Sequence, residues 1–577
     1  MKIYKYITVG VVAAAMTGLT ACDDYLDKQM VTSLNEDIVF SSYENAINVA
    51  NSVYGDLPQG LQEIGGSAMM ASACDEAEFT IQTATVQRFN DGSWMATNMP
   101  DNPFAKYYKS IRKVYNFIDN ADRINFDDVR DNPDQPGTYE KYLANIESYK
   151  GEVKLLRAFY MFELVKRFGG VPIVDGKISY GDDNVNLQRN TLEECVDEIV
   201  KACDEAALIL PVKHQDTELG RLTKGAALAL KSEVLLFAAS DLWNNPSWAM
   251  GYEHPELISL PNGDRAARWK AAADAAKAVI DLERSAGYAL DTYTSLFGAT
   301  GYKSKEVIFC RRDDKTNSFE KTNLPIGFDQ ATGGNCPSQN LVDAFMTKEG
   351  SGSNITSRPF DWSNPTMAAD PYNKRDPRLK LWIATNGSNM KSRTVECWKG
   401  GLDGEGVRNC TPTGYYIKKF LNTSLDLTRN ETAIHTWVFF RLAEIYLNYI
   451  EALNEYDPGN ANIKTYYDKL RNRTGVKMPG MASGLSQDEV RQLIRNERRI
   501  ELCFEGKRFF DLRRWMDVDA LKAPLRGVSI EKTGSNAYVY SPIKIEDRVF
   551  DPKMYFYPIP QAEINKQPGV MIQNPGW

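Results

Sequence analysis

The chain has 577 residues, 43% of them hydrophobic and 25% charged, with a formal net charge of −8. That balance suits a globular protein of two or three domains or one large helical array. It argues against nucleic acid as the main partner, because phosphate binding needs a basic face.

The first stretch, "MKIYKYITVGVVAAAMTGLTACDDYLD", places Lys2 and Lys5 ahead of a short apolar run and small residues before Cys22. This is the pattern of a secretory signal, too short to span a bilayer. Leu19-Thr20-Ala21-Cys22 resembles the bacterial lipobox, in which the cysteine is acylated and becomes the mature N-terminus. The bland alternative is ordinary signal cleavage near Ala21. We expect residues 1–21 to be removed and residues 22–40, which are polar, to tether the fold to its lipid.

Helices follow in order. One is predicted over Tyr43–Tyr54. The loop "DGSWMATNMPDNPF", Asp91 to Phe104, is rich in turn formers. A second helix runs from Phe104 to about Ala121. A third runs from near Tyr142 to Phe168, where "FGGVP" stops it. Thr191 and Glu194 form a T-x-x-E capping box for a helix whose face carries Leu192, Cys195, Val196, Ile199, Cys203 and Ala206. Thr223 caps "KGAALALKSEVLLFAAS", which is apolar nearly all round and therefore buried on most sides. Another helix covers Arg265 to Ser285. Such pairs of similar length resemble tetratricopeptide arrays, although no strict sequence period is visible.

From residue 288 to 436, Gly, Asn, Pro, Ser and Thr dominate and helical periodicity fades. Long irregular segments in compact chains are often functional. Short strands are expected at "KEVIFCRR" and "TGYYIKKF". Helices resume at Thr436–Glu455, Ala461–Arg473 and Ser486–Glu505. The fold class is therefore mainly α: a helical part over residues 41–287, a loop-rich lobe over 288–436, and a second helical part over 437–577, with few short strands.

Chemistry-bearing residues are sparse. With three histidines in the whole chain and no CxxC, a metal site or a His-based triad is poorly supplied. No metal and no cofactor is expected. Cys397 and Cys410 flank the loop "CWKGGLDGEGVRNC" and are a candidate disulfide in an oxidising compartment. Cys195 and Cys203 share one helix face and read as core thiols.

The stretch "RNERRIELCFEGKRFFDLRRW", Arg495 to Trp515, offers the most tempting catalytic pair. Helical spacing puts Glu497 and Glu501 on the same face as Val490, Ile494 and Ile500. Two carboxylates with separated pKa values make a general acid/base pair, as in a glycoside hydrolase. Buried carboxylates held by arginines are the alternative, and the core-facing stripe favours it. Glu444 and Glu451 on "FFRLAEIYLNYIEALNE" read the same way, with Arg513 among the partners available nearby.

These C-terminal segments, with "YYDKLRNRTGV" between them, resemble the signature of the SusD/RagB family. "CDDYLD", "LRAFYMFELVKRFGGVPIV", "NLVDAFMTKEG", "NKRDPRLKLWI", "GYYIKKF" and "YPIPQAEI…QNPGW" agree in the same order. The resemblance implies a tetratricopeptide-like helical domain with a loop-rich ligand-binding lobe. It also implies a non-enzymatic, lipid-anchored protein on the outer face of the outer membrane. Such a protein caps a SusC-like TonB-dependent transporter and delivers oligosaccharide to it; peptides or other nutrients are the alternative cargo. Family members place a stacking aromatic in the N-terminal third, which implies Trp94 as the sugar platform, with Arg88, Asn90, Asp91 and Asn98 beside it. Tyr302 and Tyr293, and less strongly Trp362 and Trp398, are candidates for a second wall. Asp75, in "DEAEF", lines the same region or holds a structural arginine.

Overall fold

The computed structural model describes residues 36–176, 187–260, 262–329, 331–350 and 355–577. The signal segment and Cys22 lie outside the described residues, as does most of the tether.

The longer helices are α1 (Tyr43–Tyr54), α2 (Phe104–Asn120), α3 (Thr138–Phe168), α4 (Leu192–Ile209), α5 (Lys224–Ala239), α6 (Arg265–Ile280), α7 (Leu442–Tyr456), α8 (Ala461–Arg471), α9 (Gln487–Glu501) and α10 (Arg508–Arg514). Each packs chiefly on its neighbours in this order from α1 to α7, after which α8 and α9 both pack on α7. The array passes straight from α6 to α7, although 161 residues separate them in the chain. The loop-rich segment is thus an excursion out of a continuous helical stack.

Local signals explain the starts. Ser42, Thr191, Thr223 and Ser486 each accept a backbone N–H of the first turn of their helix, and the Thr191/Glu194 and Ser486/Glu489 pairs form reciprocal capping boxes. On α5, Ala226, Ala227, Ala229 and Leu230 are all buried, and this small-residue helix lies between α4 and α6.

Three elements differ from the sequence reading. Thr436–Arg441 is not the first turn of a helix but a strand, β2, paired antiparallel with β1 (Val307–Arg312). Its β-branched and aromatic residues, "TWVFFR", suit a pleated surface, and α7 begins only after it. Helix α9 stops at Glu501 rather than Glu505. Phe504 takes the left-handed conformation at φ 65°, its amide bonds Glu76 Oε2, and Lys419 takes the Cys503 carbonyl, so tertiary partners claim the last turn. A hairpin of β3 (Leu525–Lys532) and β4 (Tyr538–Glu546) has no counterpart in the sequence reading. The strands among the described residues pair two by two, with no extended sheet.

The lobe is tied to the array by charge. Arg378, from the lobe, donates to Asp376 and to Glu497 and lies 2.8 Å from Glu501. Arg441 reaches Glu306, Glu501 and Glu505, each at 2.7 Å. Arg473 adds bonds to Glu306 and, at 3.0 Å, to Glu501, and Arg471 lies 3.2 Å from Glu497. Tyr293 donates to Glu501 at 2.6 Å. None of these charged side chains is more than a few per cent exposed. Burial alone would protonate Glu501, but the surrounding Arg441, Arg473 and Arg378 outweigh it and hold its carboxyl well below the usual range.

Removing one member of such a set strands the others in a dry interior. Glu501→Gln is expected to cost about 3–5 kcal/mol of stability, measured as a lowered urea midpoint with an unchanged slope.

Candidate functional site

The lattice just described removes Glu497 and Glu501 from any reactive cleft. Both are fully buried, Glu497 against Arg378 and Arg471, and Glu501 against Arg378, Arg441, Arg473 and the Tyr293 hydroxyl. A hydrolase needs one acid kept protonated near neutrality, and Glu501 is held the other way. Glu444 is likewise internal, with Lys507 at 2.8 Å and Arg498 at 3.8 Å. Glu451 is bound by Arg514 and by the Trp515 indole. Arg513 is a correction. Among the described residues it has no carboxylate partner. It donates to the Met554 and Phe509 carbonyls and lies 3.5 Å from the Phe509 ring centre, and burial pulls its pKa down to about 10.

Trp94 is also a correction. It is 2% exposed and boxed by Phe89, Tyr557 and Trp577 at ring-centre distances of 5.0, 5.1 and 4.8 Å. A ring closed in this way offers no face to a sugar. Its loop is folded down by Asn98, whose Oδ1 accepts the Met95 amide at 2.8 Å, while Arg88 donates to the Asn98 carbonyl at 3.2 Å. The C-terminal segment completes the cover: Gln561 bonds the Ala96 carbonyl, and the Val549 amide bonds the Asn90 carbonyl. The loop itself could not have shown this, because two of the three rings, Tyr557 and Trp577, lie more than 450 residues away in sequence.

Tyr293 belongs to the core rather than to a ligand wall. It is 7% exposed, bonded to Glu501, and has the Arg473 guanidinium 4.0 Å from its ring centre. Asp75 holds structural arginines: Arg499 at 2.7 Å and Arg508 at 2.9 Å. Against burial, these cations hold it well below the carboxylate range. Its neighbour Glu76 goes the other way. Burial, then the Asp75 charge, push it up to about 8. Cys397 and Cys410 are free thiols, so the expected pairing is not made. Their loop is closed by Asp403, which accepts two bonds from Arg393 and one from the Glu396 amide. Trp362 and Trp398 are half-buried; the Trp362 indole bonds Asp343, and Lys532 covers Trp398 at 4.6 Å.

Tyr302 alone among the named candidates lines a large concavity, of about 780 Å³. Three segments build it: the connection from α4 to α5 around Lys213–Thr223, the turn after α6 around Glu283–Ala289, and the approach to β1 from Tyr302 onward. The floor is rigid. Arg221 is fixed by Glu152 and Glu218, and His214 Nε2 lies 2.8 Å from the Leu222 carbonyl. Tyr288 lies against Gly225, where a Cβ would fall 2.2 Å from its hydroxyl, so only glycine lets that ring in. Tyr302 is half-buried, with the Arg312 guanidinium 3.8 Å from its ring centre on one side. A half-buried tyrosine beside hydroxyl, imidazole and ammonium groups is suited, on its other side, to a ligand with flat apolar faces and polar edges. Sequence reading found Tyr302 but not the cavity, because its three walls are spread over about 100 residues.

The sequence model described as "SusD family" matches residues 305–577, and the one described as "Starch-binding associating with outer membrane" matches residues 24–236. The chain belongs to the SusD/RagB family. It is 22% identical over 439 residues to SusD-like protein P2 of Formosa agariphila, covering 75% of this chain and 74% of that protein. A SusD-like protein from Bacteroides fragilis superposes with a TM-score of 0.74 at 26% identity, covering 94% of this chain and 98% of that one. A SusD-like carbohydrate binding protein from the same species gives 0.73 at 22% identity, covering 92% and 99%. The mainly α, SusD-like fold is therefore shared. Among the described residues no helix is long and apolar enough to cross a membrane.

The contrast between Asp75 and Glu76 gives a pH test. A carboxyl raised from its ordinary 4.5 to about 8 takes up protons on folding between those values. Stability from this group is therefore present below about pH 4.5 and is lost as pH rises toward 8. Glu76→Gln should flatten the fall in stability over that window, read from thermal melts at pH 5 and pH 8.

Proposed function

We propose that this SusD/RagB protein is a non-enzymatic, cell-surface lipoprotein that binds oligosaccharide and presents it to a SusC-like TonB-dependent transporter for import. The observation that carries this reading is the pair of family matches over residues 24–236 and 305–577, one of them to a family described as starch-binding and associating with the outer membrane. A solved relative described as carbohydrate binding supports the ligand class. The ligand site is the cavity around Tyr302. There the tyrosine face not covered by Arg312 packs against sugar C–H groups, and the polar rim bonds hydroxyls. Cys22 carries the lipid, residues 22–40 form the tether, and the helical array supplies the transporter contact.

A hydrolase built on Glu497 and Glu501 is disfavoured by their complete burial among arginines. A peptide or another nutrient is the alternative cargo.

The mature chain incubated with a panel of oligosaccharides should retain at least one without cleaving it. Tyr302→Ala should weaken that binding by about tenfold or more, as loss of a central aromatic contact does; calorimetry reads the affinity, and chromatography of the recovered glycan detects any cleavage. Failure of every glycan to bind would leave the peptide reading. In cells, Cys22→Ala should abolish labelling by palmitate and release the protein from the membrane fraction; continued labelling would refute the anchor.

A further inference from the structure

A second concavity lies at the other end of the α5–α6 pair. The Tyr302 cavity is built partly from the connection that enters α5 and the turn that leaves α6. The connection between those two helices encloses another hollow, of about 470 Å³, together with Asp551–Lys553 and the C-terminal residues Pro575 and Gly576. Each helix has 16 residues, so about 24 Å of helix separates the two places at 1.5 Å per residue. No residue lines both.

Aromatic rings wall this hollow, and the protein holds them in place. Trp248 and Tyr252 line it and are half-buried. Phe556 lies 6.0 Å from the Trp248 ring centre at an interplanar angle of 30°, and Tyr555 meets the same ring edge-on at 5.4 Å. The Tyr252 hydroxyl donates to the Gln573 carbonyl at 2.8 Å. Both rings are anchored from the protein side, and both keep surface toward the hollow. The neighbouring tryptophans are already taken. Trp94 is enclosed, and the Lys553 ammonium lies 4.6 Å from the Trp577 ring centre. Polar groups complete the rim: Asp551, whose Oδ1 accepts the Lys553 amide at 3.1 Å, and Lys553 itself. Met250, 93% exposed, adds an adaptable apolar side chain at the mouth.

We infer that this hollow is a second oligosaccharide site, in which Trp248 and Tyr252 pack against sugar C–H groups while Asp551 and Lys553 bond hydroxyls. The inference rests on the reading of this protein as glycan-binding. Aromatic walls with a few polar groups at the edge, in a hollow of this volume, suit a small ligand, whereas a specific protein partner needs about 800 Å² of surface on each side. Rings already fixed in the free protein cost little to order on binding. Two sites at opposite ends of one helix pair also hold a long glycan at two points, because the second contact becomes intramolecular once the first is made. A short sugar fills each site independently.

The test uses the full mature chain with maltotriose, xylotriose and mannotriose, and reads the number of sites per chain by calorimetry. The parent is measured beside Trp248→Ala, Met250→Glu and Tyr302→Ala. At least one trisaccharide should fill two sites on the parent. Trp248→Ala should remove one of them and Tyr302→Ala the other. Met250→Glu alters an exposed position, so its melting temperature should match the parent, and it should weaken the Trp248 site alone by tenfold or more. The polymer of the bound sugar (amylose, xylan or mannan) should bind the parent at least tenfold more tightly than either single-site variant. One site per chain, lost in Tyr302→Ala and untouched by Trp248→Ala and Met250→Glu, overturns the second site and leaves the glycan reading intact. One site lost in Trp248→Ala and untouched by Tyr302→Ala keeps this site and overturns the Tyr302 assignment. No binding of any trisaccharide or polymer overturns both.

Discussion

The structure depends on the ion-pair lattice centred on Glu501. Glu501 receives Arg378, Arg441 and Arg473 together with the Tyr293 hydroxyl. Those groups come from different parts of the chain. Arg378 and Tyr293 belong to the loop-rich excursion, Arg441 ends β2, and Arg473 follows α8. A loop-rich lobe has few regular elements with which to dock by ridge-and-groove packing. Buried charges with fixed geometry supply register instead, because each guanidinium fork matches a limited set of carboxylate positions. Desolvation makes such pairs poor sources of net stability, and their strength here lies in the cost of separating them. The lattice holds the excursion in one place against the helical stack, and the approach to β1, which carries Tyr302, belongs to that excursion.

Division of labour follows from this arrangement. The charged helix α9 is the most conspicuous stretch of the sequence, yet all its buried charge is turned inward. We place ligand chemistry at the seam between the helical array and the excursion, where the α4–α5 connection, the turn after α6 and the segment before β1 enclose a cavity. The lysines on its rim, Lys213, Lys303 and Lys305, stay exposed for the same physical reason that Glu501 can be enclosed. A charge without a partner stays near water, and a charge with several partners can be enclosed.

Much of this was legible in the sequence. Capping residues and apolar periodicity located α1, α2, α4 and α5 closely, and the spacing of Glu497 and Glu501 placed both on the core side. What was not legible depended on distant partners. The strand at Thr436–Arg441 exists because β1 pairs with it, and β1 lies more than 120 residues earlier. Helix α9 ends early because Glu76 and Lys419 claim its backbone. Trp94 sits in a turn-rich polar loop, the expected setting for an exposed platform, but Tyr557 and Trp577 close over it. Arg513 stands in a run of arginines beside acidic helices, yet carbonyls and an aromatic ring take it instead. In each case the local pattern was sound and a tertiary contact decided the outcome.

We place ligand recognition at the Tyr302 cavity and confine the paired glutamates to the scaffold. A crystal structure of the mature chain with a bound oligosaccharide tests both at once. Sugar density is expected against the Tyr302 ring, with the Glu501 lattice unchanged. Density beside an opened Trp94 loop, or sugar reaching Glu497 and Glu501, would contradict it.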